Sequence, residues 1–147
     1  MVRTCENHVP QPGTLVRRWA LEREPLRAGH YLFDFELWLR LSAHGRARRL
    51  EGPPLAAYRV HGGSKTAGAP IAKARDYVRL ADEFFATDEL PAHLRPHARR
   101  AIRSAYRHAA VYFYDGGDLR SARRYALRSR NWPILVRALV RSAMRGR

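Results

Sequence analysis

Cys5 is the only cysteine in this 147-residue chain. A lone thiol forms no intramolecular disulfide and no cysteine-rich zinc site, which leaves apolar burial to hold any fold together. Lysine is nearly missing as well, with Lys65 and Lys73 set among many arginines. No apolar run approaches the roughly 18–20 residues that cross a bilayer, and the opening MVRTCENHVPQPG has no apolar core of the secretory kind. These absences predict a cytoplasmic chain, soluble or peripheral at a membrane surface. Acids are the last shortage. From Arg99 onward, 13 arginines stand against Asp115 and Asp118 alone.

What is present suits one domain of ordinary size, or a small domain with an appendage. Hydrophobic residues make up 46% of the chain, a globular composition that excludes general disorder. The formal charge is +15, with 11 Lys and Arg against 6 acids in residues 1–66 and 17 against 7 in residues 67–147. Such a field attracts lipid headgroups, nucleic acid or phosphate-bearing substrates. An arginine-rich composition also arises without any such partner, so charge alone selects none of them. Specific nucleic-acid binding ranks last, because no recognition-helix unit, zinc motif or aromatic RNA-binding signature accompanies the charge.

Along the chain, Thr14 is placed to cap a short helix over LVRRWALE, and Pro25 and Gly29 then break it. Asp34 stands just before FELWLRLSAH, a helix of about three turns with Gly45 as its left-handed stop. Glu36 and Arg40 form an i,i+4 pair expected on the wet side of that helix, worth a few tenths of a kcal/mol. RARRLE (46–51) and LAAYRVH (55–61) read as two short strands separated by Gly52-Pro53-Pro54. Beyond a composition change near residue 66, everything reads as helix. Apolar stripes run through 70–86 (Ala74, Tyr77, Val78, Ala81, Phe84, Phe85) and 95–114 (Ile102, Ala105, Tyr106, Ala109, Phe113). Asp118 is a good N-cap for LRSARRYALRSR, and Pro133 suits the first turn of a last helix. Tyr106, Tyr112, Phe113 and Tyr114 fit a core better than a stacking platform for bases.

Two longer stretches, NHVPQPGTLVRR and HYLFDFELWLRLSAHGRARRLEGPPLAAYRVHGGSKT, together resemble the C-terminal half of family-2 glycosyltransferases of the GT-A fold. The likeness covers residues 7–66 and rests on three pieces in order: a "QP-small-aliphatic-RR" segment, an acid before "ELWLRL", and "PLA-Y-R-x-H" with a serine-bearing turn. It implies that residues 1–66 are the acceptor-side half of such a domain and 67–147 a basic helical extension. The expected architecture is mainly α with a small two-strand β element: a piece of a GT-A α/β domain followed by a bundle-like tail.

The resemblance implies roles as well. Asp34 falls at the catalytic base, although Phe33 replaces the other half of the family's acidic pair. His61 falls where a histidine faces the metal and diphosphate of a nucleotide sugar, while Trp38, Arg40, Tyr58 and Arg59 fall at acceptor-side support positions. The complete enzyme implies a divalent metal, Mg or Mn, a nucleotide-sugar donor and a glycan or lipid-linked acceptor. Chemistry agrees in part: inverting transfer needs a base within hydrogen-bond reach of the acceptor hydroxyl, and a carboxylate at a helix N-terminus is held ionised and aimed off the helix end. As plain protein structure, Asp34 is a helix cap and His61 a structural or exposed imidazole; both alternatives stay open.

A parallel nucleotide-binding sheet and an Asp-x-Asp metal motif are both lacking. The expectation is therefore a truncated transferase, inactive alone and carrying no metal of its own, with its donor-binding half elsewhere. The competing expectation is a basic helical module. Arg137, Arg141 and Arg145 recur every four residues beside Ile134, Leu135, Ala138, Leu139 and Val140, a pattern suited to an anionic membrane surface.

Overall fold

The computed structural model describes residues 4–57, 59 and 68–145. The first part holds α1 (Arg18–Arg23) and α2 (Phe33–Ser42), and the second holds α3 (Pro70–Arg79), α4 (Arg95–Asp115), α5 (Leu119–Ser129) and α6 (Trp132–Arg145). A π-helical turn, Leu80–Phe85, continues α3 without a break. The protein is mainly helical, as the apolar periodicity predicts.

Alanine governs how the second part packs. Ala101, Ala105 and Ala109 recur every four residues along α4 and are wholly buried, as are Ala122 and Ala126 of α5 and Ala138 of α6. Side chains this small let helix axes come close, and α4 accordingly packs on α3, the π turn and α5, with α5 packing on α6. Aromatic rings fill the remaining volume. Tyr77 stacks on His108 at 4.8 Å and on Tyr112 at 5.8 Å, while Phe113 stacks on Tyr125 at 5.6 Å. Tyr106 also packs on Tyr125 at 5.3 Å, in keeping with a core rather than a platform for bases.

The connector after α4 works as its sequence suggests. Gly117 takes a left-handed φ of +81°, which lets the Asp118 N–H reach back to the Phe113 carbonyl at 2.9 Å. Asp118 then caps α5, its Oδ1 accepting from the Ser121 N–H at 3.0 Å. Gly116 matters for space: a Cβ there would lie 2.4 Å from Ile71 Cδ1, so the missing side chain admits the start of α3. Pro133 sits in the first turn of α6.

The first part docks through α2. Phe35 and Leu39, one turn apart, enter the core together with Cys5, and the Phe35 ring meets Tyr77 at 6.1 Å. The backbone is tied as well, with the Leu32 N–H donating to the buried Asp76 carboxylate at 2.6 Å and Arg79 to the Gly29 carbonyl at 3.0 Å.

Four sequence expectations are corrected here. No strand occurs among the described residues: 46–57 and 59 are exposed and irregular, and Tyr58, Val60 and His61 of the second expected strand lie outside them. A strand needs a neighbour for its backbone groups. The described residues offer none, and Pro53 and Pro54 have no N–H to give. Thr14 does not cap α1, which starts four residues later behind Arg17; its hydroxyl bonds the Pro10 carbonyl instead. Gly45 is not a left-handed stop, because α2 closes at Ser42 and the Gly45 N–H bonds the Leu41 carbonyl at 3.0 Å without positive φ. Glu36 and Arg40, finally, face inward rather than toward water, each only 6% exposed.

Candidate functional site

Asp34 is the second residue of α2 rather than the residue before it, and the N-cap position belongs to Leu32, which has no capping side chain. The carboxylate lies at the positive end of the helix. Its Oδ1 accepts from the Phe35 N–H at 2.8 Å, and its Oδ2 accepts from Asn7 Nδ2 at 3.1 Å. Asn7 opens the first segment of the transferase resemblance and Asp34 lies in the second, so 27 positions of sequence separation close into one hydrogen bond. Elsewhere the two stretches meet at Gly13, where an added Cβ would touch Ala56 Cβ at 3.5 Å.

Arg40 is the most heavily bonded side chain of this region. Its fork grips Glu36 at two points, Nε to Oε1 at 2.6 Å and Nη2 to Oε2 at 3.0 Å. Nη1 donates to Glu24 at 2.6 Å and Nη2 to the Pro25 carbonyl at 2.7 Å. Glu24 in turn meets His44 Nε2 at 2.8 Å. Burial pushes the Glu24 carboxyl up, but hydrogen bonds from Arg40 and His44 outweigh it and hold the group below its ordinary range. Burial likewise works against the Arg40 cation, and its bonds to Glu36 and Glu24 raise its pKa nonetheless. Through these four bonds Arg40 ties the end of α1 to α2.

Trp38 is half-buried, and its indole N–H is buried with no acceptor among the described residues. Arg59 is exposed on irregular chain. Tyr58 and His61 lie outside the described residues, so the pairing of Asp34 with His61 is not described either. No group of three or more His, Cys, Asp or Glu side chains suited to a metal occurs among the described residues. Cys5 is wholly buried, and burial pushes its thiol up to about 12.

The sequence reading overlooked Asp76 and Asn7, the residues that hold the α2 N-terminus. Asn7 could have been found inside the first resemblance segment. Asp76 gave no local signal, since its partner is Leu32, 44 positions away.

On α6, Arg137 and Arg141 set their guanidinium groups over the Tyr114 ring at 5.9 and 5.1 Å, and Arg141 also donates to the Tyr114 carbonyl at 3.2 Å. Arg141 is thus turned toward the bundle, Arg137 remains exposed, and the Arg145 side chain lies outside the described ones. No helix among the described residues is long and apolar enough to cross a membrane.

Fold and geometry together define a basic, mainly helical protein with a polar, loop-rich region docked on an alanine-packed bundle. The chain matches no family model, no curated protein and no solved structure.

Proposed function

We propose that this chain is the acceptor-side part of a family-2, GT-A glycosyltransferase, with the donor-binding sheet and its metal-holding acids supplied from outside these 147 residues. The reaction is transfer of a sugar from a nucleotide donor to a glycan or lipid-linked acceptor. Asp34 is the base that takes the proton of the acceptor hydroxyl, and His61 faces the donor diphosphate and its Mg or Mn. Trp38, Tyr58 and Arg59 flank the acceptor, whereas Arg40 acts only by positioning α2.

The observation that carries this reading is the 3.1 Å bond from Asn7 to Asp34. It fastens two segments of the resemblance together at the residue that would do the chemistry. An Asp at this point gives one acceptor site on each oxygen to the protein, and the remaining lone pairs of a carboxylate can take a substrate hydroxyl, so the structural and catalytic roles are compatible. Leu15, Leu26, Leu50 and Leu55 are 84%, 61%, 66% and 74% exposed, apolar side chains that a covering donor half would bury.

The test is to express the chain fused to the reading frame immediately 5′ to it and to follow nucleoside diphosphate release. The fused protein is expected to turn over and the 147-residue chain is not. Asp34→Asn in the fused protein is expected to lower kcat by about a hundredfold or more with its thermal midpoint retained, the scale of a lost general base. An upstream frame without an Asp-x-Asp after a strand, or an Asp34→Asn protein with full activity, overturns the proposal.

A further inference from the structure

We propose that α6 is a docking surface for an anionic lipid bilayer, lying along the interface with its outer apolar stripe toward the acyl chains. The inference is independent of the transferase reading.

α6 buries only a narrow face. Ile134 and Ala138 enter the core at 7% and 0% exposure, whereas Trp132, Val136, Leu139, Val140 and Met144 are 58%, 58%, 48%, 55% and 75% exposed. At about 100° per residue, Trp132, Val136, Leu139 and Val140 fall in one sector roughly 100° wide, opposite Ile134 and Ala138, with Met144 on its border. The outer stripe therefore differs from the one the sequence suggests: Ile134 and Ala138 belong to the core, while Trp132, Val136 and Met144 take their place. A hollow of about 310 Å³ adjoins it, walled by Tyr114, Val136, Val140 and Met144, with Arg137 and Arg141 at its side.

Charge selects the occupant. From Leu119 to Arg147 there is no Asp or Glu, against nine arginines. A second copy set on the same face would oppose cations to cations with no acid to pair them. Nucleic acid would answer the charge and leave the apolar stripe in water. An anionic bilayer answers both, placing the stripe among acyl chains and Arg137, with the exposed Arg130 just before the helix, among phosphates. Trp132 at one end of the stripe suits the headgroup boundary, where an amphipathic indole is favoured. Fourteen residues of helix extend about 21 Å, short of the roughly 30 Å hydrocarbon layer, so α6 lies flat and does not span.

The experiment is flotation of the full chain with vesicles of phosphatidylcholine alone and of phosphatidylcholine with phosphatidylglycerol. The unaltered chain is expected to float with the anionic vesicles and not the neutral ones. A Val136→Ser/Val140→Ser/Met144→Ser variant changes only well-exposed positions and so keeps its helical circular dichroism; it is expected to partition about tenfold or more weakly. Arg137→Gln is expected to weaken partition about fivefold, the loss of one interfacial cation. No flotation, equal flotation on neutral vesicles, or undiminished flotation of the triple-serine variant each overturns the proposal. So does a lipid-free dimer, seen by sedimentation, that the triple-serine variant dissolves.

Discussion

Residues 4–57 and residues 70–145 are held by different forces. The second region is a helical assembly whose inner surface is mostly alanine and aromatic ring, and its buried contacts need no partner of a particular charge. The first contains little regular structure, and none of the six residues of α1 is buried. Beyond the docking of Cys5, Phe35 and Leu39 in the core, it is fixed by a few polar bonds of long sequence reach: Arg40 to Glu24 and Pro25, Leu32 to Asp76, Arg79 to Gly29. Apolar packing is tolerant because many contacts share the load. A charge network is not, because removing one member leaves the others buried and unpaired.

That contrast sets the largest predicted effect. Arg40→Met takes both hydrogen bonds from Glu36, which is 7% exposed at its side chain and keeps only the exposed Arg27 guanidinium at 3.6 Å, and frees Glu24. It is expected to cost about 3–5 kcal/mol, read from the urea midpoint. Adding Glu36→Gln removes the buried charge that has lost its hydrogen-bonded partner, so the double variant is expected to recover more than about 1 kcal/mol. Hydrogen exchange should locate the loss in residues 18–42 and spare α4 and α5. A loss below about 1 kcal/mol, the value of a surface pair, would break the comparison: the first region would then rest on the apolar docking of Cys5, Phe35 and Leu39.

Acid separates the two regions in sequence. Burial lowers the pKa of His108 in α4, where the ring stacks on Tyr77, while Glu6 and a Thr4 backbone bond pull it up and Arg107 pushes it down. A depressed imidazole pKa means that the unfolded chain binds the proton more readily. The contribution is present above the ordinary value of 6.5 and is lost as pH falls through 6.5 toward the folded value. Glu24 is also depressed, so its contribution holds above the ordinary 4.5 and is lost only as pH falls below that. Thermal midpoints are expected to drop in two stages, one below pH 6.5 and one below pH 4.5. His108→Gln should flatten the first stage alone; a single drop unaffected by that change would contradict it.

The same contrast explains what was legible in the sequence. The stripes through Ala105, Ala109 and Phe113, the Asp118 cap and the Pro133 start could be read because helix period and capping are local. The Glu36–Arg40 pair could be seen but not placed, since an i,i+4 spacing looks the same on a wet face and in a network. Its third member, Glu24, is 16 positions from Arg40. The expected strand over 46–51 had β-compatible spacing but no neighbour to pair with. Asp34 was singled out through resemblance and misplaced by two helical positions, while His61 and Tyr58 lie outside the described residues. Local rules served the region built from local contacts, and failed where the contacts are long.

The smallest predicted effect sharpens the comparison inside the helical region itself. α4 and α5 end with the same closure: the Asp118 N–H reaches Phe113 at 2.9 Å and the Asn131 N–H reaches Ala126 at 2.8 Å. Both closures need a left-handed residue, which is Gly117 at φ +81° in one and Arg130 at φ +54° in the other. A side chain in that conformation costs about 1–2 kcal/mol. Arg130→Gly relieves the cost and gives part of it back, because glycine is more flexible unfolded and a cation is lost from the helix C-terminus. The expected net gain is about 0.5 kcal/mol, seen as a higher thermal midpoint, while Gly117→Ala at the equivalent site is expected to lose about 1 kcal/mol. If Arg130→Gly lowers the midpoint instead, the Arg130 side chain contributes more than its backbone strain removes, and the two helix ends are alike only in geometry.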